Sequence, residues 1–180
     1  MDNSEAVLTF WFSDIDPQKW WVKDPQFDQL VERHFGELLR RAARGECADW
    51  RKTARGRLAE IIVLDQFSRN IHRDTPQAFA QDALALTCAQ EAIRRGDDAR
   101  LPLPKRTFMY MPFMHSEDKI IHEQAVRLFQ VPGMENALNF ELRHKAIIDR
   151  FGRYPHRNAI LGRESTVEEI QFLRQPGSSF

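Results

Sequence analysis

Residues 58–73 read Leu-Ala-Glu-Ile-Ile-Val-Leu-Asp-Gln-Phe-Ser-Arg-Asn-Ile-His-Arg, and this stretch decides the fold. In its first half, apolar side chains cover most of a helical circumference without strand-like alternation, which is typical of a central, buried helix. At helical spacing, Asp65 and Arg69 fall on the face that Leu58 and Ile62 begin. Burying charged groups is costly unless each has a partner, so the stretch predicts either an internal ion pair or a polar pocket.

Composition narrows the class of protein. The chain has 180 residues and no linker-like break, so we expect a single helical domain over 1–174 and a disordered tail over 175–180. Lys plus Arg and Asp plus Glu are 26 each, so the chain has no excess of positive charge that would attract nucleic acid, and we expect no nucleic-acid partner. The acidic start, the lack of a membrane-length apolar run and the unpaired Cys47 and Cys88 predict a soluble, cytoplasmic protein with no membrane partner.

Helix signals recur along the chain. Asp24-Pro25 and Thr75-Pro76 are cap-then-proline pairs that begin apolar stripes, and Asp49 and Ser116 are further candidate caps. Short connections that contain glycine predict antiparallel helical hairpins. No segment alternates as a strand does, so we predict an all-α fold of about seven to nine helices in antiparallel pairs. Such pairs would stack as in tetratricopeptide-like arrays, although no repeat of about 34 residues is found.

One short pattern occurs twice, each time where a predicted helix ends. Residues 65–73 and 149–157 share Asp-x-Phe-x-Arg-x-x-His-Arg at identical spacing. If the copies face each other, their arginines and histidines would surround one space suited to a phosphate or a carboxylate. In the alternative, each Asp and Arg closes its own i, i+4 pair and each His-Arg pair caps local carbonyl groups. Both interpretations stay open at this point.

A second group of polar side chains lies in residues 115–123, which read His-Ser-Glu-Asp-Lys-Ile-Ile-His-Glu. His115, Asp118 and His122 would share a helical face and could bind zinc or iron if the helix included His115. Ser116 is a candidate cap, however, which places His115 outside the helix, and the His-Glu-x-x-His motif is absent. We therefore predict no metal and no other cofactor.

Three motifs resemble a known family: Leu64-Asp-Gln-Phe-Ser-Arg-Asn70, then Met114-His-Ser-Glu-Asp118, then Phe151-Gly-Arg-Tyr-Pro-His-Arg-Asn158 with Leu161-Gly-Arg163. Together they make the chain similar to the bacterial family called domain of unknown function 924, over nearly its whole length. The resemblance implies a helical, tetratricopeptide-like fold and supplies no activity. Ser68, where a proline is common, and His122 depart from the family's pattern, and the second departure further weakens the metal hypothesis.

The leading hypothesis for function is a polar pocket that binds an anionic small molecule or an acidic peptide end. The candidate residues of this pocket are Asp65, Arg69, Asn70, Arg73, His115, Glu117, Asp118, His144, Arg153, His156 and Arg157. An alternative is an enzyme with hydrolytic or phosphoryl-type chemistry, in which His115 or His144 is the acid or base, although no Ser, Cys or Lys is marked as a nucleophilic partner. A third hypothesis is an adaptor that binds a protein partner in a helical groove.

Overall fold

The structure, a computed structural model, describes residues 3–180. Met1 and Asp2, with which the predicted domain and its acidic start begin, lie outside the described residues. Over 3–180 the chain forms nine helices and no strand, which confirms the predicted all-α class and the expected number of helices. The tetratricopeptide-like stacking of these helices stays a prediction.

The described chain divides into two compact units. Unit 1 comprises residues 3–73 and 77–112, and unit 2 comprises residues 74–76 and 113–180. The helices of unit 1 are α1 (Asn3–Thr9, continued as a π-helical turn at Phe10–Asp14), α2 (Pro25–Ala43), α3 (Ala54–Ile61, a π-helical part at Ile62–Phe67, then Ser68–Ile71), α4 (Asp82–Arg94) and α5 (Leu103–Met114, whose last two residues belong to unit 2). Those of unit 2 are α6 (Lys119–Phe129), α7 (Glu135–Phe151), α8 (Asn158–Leu161) and α9 (Val167–Leu173).

Local cap signals place several helix ends correctly. Asp24 caps α2, because its carboxylate accepts from the backbone N–H groups of Gln26 and Phe27, and Pro25 is the first helical residue. Gly152 ends α7 with a positive φ of 71°, the left-handed conformation that glycine adopts at no steric cost. The start of α2 at Asp24-Pro25 agrees with the sequence prediction.

The predicted cap of the central helix is wrong. Asp49 lies in a 3-10 turn at Ala48–Lys52, where its side chain is exposed and pairs with Lys52. The cap of α3 is Thr53, whose extended backbone lets the hydroxyl accept from the N–H of Gly56 at 3.0 Å. The helix therefore begins a few residues later than the sequence suggests.

Two further helix starts differ from the prediction. Asp118, rather than Ser116, caps α6, because its extended backbone directs the carboxylate to two N–H groups of the first helical turn. Thr75-Pro76 precedes only a 3-10 turn at Pro76–Phe79, and the chain leaves helical geometry before α4 begins at Asp82. At both places the sequence signal correctly indicates that a helix begins nearby, but it does not identify the first residue of that helix.

Helix α3 is buried on nearly every side, as the sequence predicts. Its apolar side chains with no exposed surface are Leu58, Ala59, Ile61, Ile62, Val63, Leu64 and Phe67. Helix α2 packs against the π-helical part of α3, and α1 and α4 pack against its first part. The ring of Phe67 lies 4.7 Å from that of Phe35 and 5.6 Å from that of Trp11. The core of unit 1 is therefore built around α3.

Gly56 lies so close to the preceding turn that no side chain fits there. A Cβ atom at this position would lie 2.0 Å from the carbonyl oxygen of Trp50, a backbone atom that cannot move aside cheaply. We expect Gly56→Ala to lower the free energy of unfolding by about 3 kcal/mol. The matched control is Gly36→Ala within α2, where the nearest atom is 3.6 Å away and the gain in helix propensity should stabilise by about 0.5 to 1 kcal/mol. Equal urea midpoints for the two variants would contradict this assignment.

Candidate functional site

The first copy of the repeated pattern is held by ion pairs within unit 1. Asp65 is 1% exposed, and its carboxylate accepts from Arg69 Nη1 at 3.3 Å and from Gln66 Nε2 at 2.7 Å. Arg69 also donates two hydrogen bonds to Asp82 at the start of α4, at 2.7 and 2.9 Å. The acid and the guanidinium point inward, as the sequence predicts, and carboxylates of unit 1 bind the guanidinium on two sides.

Asn70 and Arg73 bind a residue that the sequence analysis did not single out. Both donate to the carboxylate of Asp28 on α2, Asn70 Nδ2 at 2.8 Å and Arg73 Nη2 at 2.8 Å. Arg73 Nε makes a second bond to the same carboxylate, so the contact is bidentate. Asp28 is an acid in the first turn of a helix, which usually indicates only a favourable interaction with the helix dipole.

In the second copy of the repeated pattern, the Asp and the Arg do not pair with each other. Asp149 is on the surface and pairs with Lys145 at 2.6 Å. Arg153 instead makes two hydrogen bonds of 2.8 Å to Glu169, a buried residue of α9. The hydrogen bond from Arg153 is the main reason why the pKa of Glu169 is lowered from 4.5 to about 2. Pairing of Asp and Arg at i, i+4 therefore describes the first copy and not the second.

Tyr154 contacts several of the predicted site residues in unit 2. Its side chain is fully buried, its hydroxyl donates to the carbonyl of Met114, and its backbone N–H donates to Glu117 Oε1 at 2.8 Å. The guanidinium of Arg157 lies 4.7 Å from the centre of the tyrosine ring and donates to the carbonyl of His115 at 3.0 Å. The sequence analysis missed Tyr154 as a functional residue, although it stands between Arg153 and His156 in the third motif.

Glu117 is held by Arg163, another residue of the third motif. Arg163 donates from both terminal nitrogens to the carboxylate, at 2.7 and 2.9 Å. Burial alone would raise the pKa of Glu117, but the bonds from Arg163 and from the Tyr154 backbone outweigh it and lower that pKa. Glu117 is therefore ionised, and its hydrogen bonds connect segment 115–118 with segment 154–163.

His122 and Glu141 form a fully buried pair in unit 2. Neither side chain has exposed surface, and His122 Nδ1 lies 2.7 Å from Glu141 Oε1. His122 Nε2 lies 2.7 Å from the carbonyl oxygen of Ser116, which can only accept, so this nitrogen has the hydrogen. One proton is therefore shared between Nδ1 and the carboxyl group, and the pair has no net charge. Burial raises the pKa of Glu141, while the hydrogen bond with His122 opposes that rise.

The residues weighed as metal ligands make other contacts. Both ring nitrogens of His122 are hydrogen-bonded, Asp118 caps α6, and His115 precedes that helix. Over residues 3–180, no three His, Cys, Asp or Glu side chains are grouped so that they could hold a metal ion. That the protein binds no metal stays a prediction.

His144 is a buried, neutral imidazole. Its Nδ1 donates to the carbonyl of Phe140 at 2.7 Å, so Nε2 is the ring nitrogen that keeps a lone pair. Burial lowers the pKa of His144 to about 3, with smaller electrostatic contributions from the neighbouring His115, His122 and His156. At neutral pH the side chain therefore accepts a hydrogen bond at Nε2 but does not donate a proton there.

The buried state of His144 predicts a loss of stability in mild acid. Between about pH 6.5 and pH 4.5 the unfolded chain takes up a proton at His144, whose ordinary pKa is 6.5, whereas the folded chain does not until about pH 3. This group should then contribute a loss of at most about 1.4 kcal/mol per pH unit. Urea unfolding of the wild type and of His144→Gln should show the wild type losing about 2 kcal/mol relative to the variant over this range. A difference that does not change with pH would contradict the assignment.

The C-terminal segment 175–180, which the sequence predicts to be disordered, folds back in the structure. The Ser178 hydroxyl donates to the carbonyl of Leu173 at 3.2 Å. The ring centre of Phe180 lies 3.7 Å from that of His144, 4.9 Å from that of His156 and 5.4 Å from that of Tyr154. The only sequence signal for this contact is an aromatic residue at the end of a polar stretch.

The comparisons with known proteins agree with the three motifs. A family model described as "Bacterial protein of unknown function (DUF924)" matches residues 7–177. The chain belongs to this family. It is also similar to a solved structure, "Structure of Protein of Unknown Function ATU0120 from Agrobacterium tumefaciens", with 41% identity and a TM-score of 0.91 over 95% of this chain and 96% of that chain. No curated protein matches the chain.

The motifs that identify the DUF924 family have distinct places in the structure. The first motif binds α3 to α2 and α4 through Asp28 and Asp82. The second and third motifs meet in unit 2, where Glu117 binds Arg163. Within residues 3–180, no helix combines the length and apolar character that crossing a membrane requires.

Proposed function

We propose that the chain binds a small anionic molecule, or the carboxylate end of an acidic peptide, at a histidine cluster in unit 2. This cluster consists of His144, His156 and Arg157, which contact the ring of Tyr154, and of His115, whose carbonyl oxygen accepts a hydrogen bond from Arg157. The proposal rests on the guanidinium of Arg157, which lies against the ring of Tyr154 as the imidazole rings of His144 and His156 do. A bound anion would accept charge-assisted hydrogen bonds from this guanidinium, and its negative charge would raise the pKa of His144.

The other candidate arginines receive a different role in this proposal. Arg69, Arg73 and Arg153 are each bound by carboxylates of their own unit, so an incoming anion would have to displace an internal partner. The free energy needed to break such an ion pair is larger than the free energy gained from an exposed contact between the arginine and an anion. We therefore assign these arginines, together with Asp65, Asn70, Glu117 and Asp118, to holding the fold and the histidine cluster in shape.

The low pKa of the His144 imidazole favours a binding function over a catalytic one. A general base works best when its pKa lies near the operating pH, and a pKa of about 3 makes His144 a weak base at neutral pH. His115 stays the other acid or base candidate of the enzyme hypothesis. We further propose that the protein acts in the cytoplasm without a cofactor, a nucleic acid or a membrane partner. The adaptor hypothesis, with its protein partner, also stays a prediction.

Thermal unfolding in phosphate, sulfate or succinate tests this function. At an anion concentration of about ten times Kd, the wild-type Tm should rise by about 3 °C. His156→Gln and Arg157→Gln should each lose most of that rise, measured against the same variant without anion. The matched control is Arg150→Gln, which changes a surface arginine of unit 2 that pairs with Glu168. A wild-type Tm that does not respond to any of these anions would contradict the proposal.

A further inference from the structure

The rings around Phe180 form a surface of unusual composition. We call it the aromatic face, and it consists of the rings of His144, Tyr154 and His156. Phe180 contacts all three rings, at centre distances between 3.7 and 5.4 Å, yet about half of its own side chain stays exposed (56%). The aromatic face therefore accepts one aryl ring from the solvent side.

The segment that brings Phe180 to this face has little else to hold it there. None of the side chains of 175–180 is charged, and Pro176 and Gly177 offer no side-chain hydrogen bond. Ser178 bonds to the end of α9, which places the segment beside unit 2. Ring contacts with a half-exposed partner are individually weak, so another aryl group can compete with Phe180 for the same place.

A positively charged group lies next to the place that Phe180 fills. Arg157 lies over the ring of Tyr154, at 4.7 Å from its centre, and Phe180 contacts the same ring in an edge-on arrangement. Arg157 and Phe180 therefore both lie against the ring of Tyr154. A molecule that has both an aryl ring and a carboxylate offers one group for the aromatic face and one for the guanidinium.

We propose that the aromatic face binds the aryl ring of a small aromatic carboxylate, that Phe180 occupies this site in the free protein, and that the ligand displaces it. This inference rests on the proposed anion-binding function and deepens it by naming the ligand class. Phe180 acts as an internal competitor, so its removal raises the affinity for ligands that have a ring and leaves other anions unaffected.

Calorimetric titration with 3-phenylpropionate, and with propionate as the matched acid without a ring, tests the inference. The proteins are the wild type, Phe180→Ala and the control Ser179→Ala, which changes an exposed residue of the same segment. Loss of the competing ring contacts should make 3-phenylpropionate bind Phe180→Ala about threefold to tenfold more tightly than the wild type. Propionate should bind all three proteins alike, and Ser179→Ala should match the wild type.

The outcomes separate this inference from the function on which it rests. If phosphate and propionate bind but 3-phenylpropionate binds no better than propionate to either protein, the anion site stands and the aromatic site is overturned. If no anion binds but benzyl alcohol binds Phe180→Ala more tightly than the wild type, the aromatic site stands and the proposed function fails. Equal affinity of 3-phenylpropionate for the wild type and Phe180→Ala overturns the competition by Phe180.

Discussion

His122→Leu is expected to lower the free energy of unfolding by about 3 to 5 kcal/mol, because it leaves the carboxyl group of Glu141 buried without its partner. Glu141 has no exposed surface, and its second oxygen, Oε2, already has no hydrogen-bond partner among residues 3–180. The remaining carboxyl group would therefore have to be buried in its neutral form without a hydrogen bond to either oxygen. Urea unfolding monitored by circular dichroism measures the loss.

Two further variants make this prediction specific. Glu141→Gln keeps a donor next to His122 Nδ1 without a charge, so it should cost only about 1 kcal/mol. The double variant His122→Leu with Glu141→Leu removes both polar partners, and it should be clearly more stable than the sum of the single losses implies. Strict additivity in this cycle would show that the two side chains do not depend on each other.

Arg69→Gln is also expected to lower the free energy of unfolding strongly, by about 3 kcal/mol. Asp65 is almost fully buried and Asp82 is largely so, and the substitution removes the guanidinium that binds both. The matched control is Arg94→Gln, which breaks an exposed pair with Glu91 and should cost at most about 0.5 kcal/mol. Guanidinium or urea titration of both variants checks the difference.

The same variant also distinguishes two hypotheses for the first motif. If Arg69 is a structural residue, the phosphate-dependent rise in Tm should persist in Arg69→Gln, although from a lower starting temperature. If Arg69→Gln folds with wild-type stability and loses the phosphate response, the shared pocket predicted from the repeated pattern would be favoured over the histidine cluster.

Local signals explain why the fold class could be predicted from the sequence. The Asp24-Pro25 cap depends on a few neighbouring residues, and it lies where it was expected. Errors arose where several cap residues stand close together, as at Ser116 and Asp118. There the direction of the incoming chain selects the cap, and that direction depends on packing. The family could be predicted because three separate motifs agree.

Partners of the charged residues that lie far apart in the sequence could not be predicted. Asp28 lies 42 residues from Asn70, and Glu117 lies 46 residues from Arg163, so only the folded chain brings them together. The repeated pattern did not indicate how its two copies differ, for the same reason. Asp65 is buried within the π-helical part of α3, whereas its counterpart Asp149 is on the surface. Identical spacing fixes which residues are neighbours along a helix, but it does not fix which face of that helix is covered.

The central claim is that an anion binds the histidine cluster of unit 2, and NMR of the imidazole groups tests it most directly. Protein labelled at histidine is titrated with phosphate at neutral pH, with His34 in unit 1 as an internal control. The account predicts saturable shifts of the His144 and His156 ring signals, a rise in the pKa of His144, and no change at His34. Unchanged signals for the unit 2 histidines, or shifts confined to His72 beside Arg73, would contradict it.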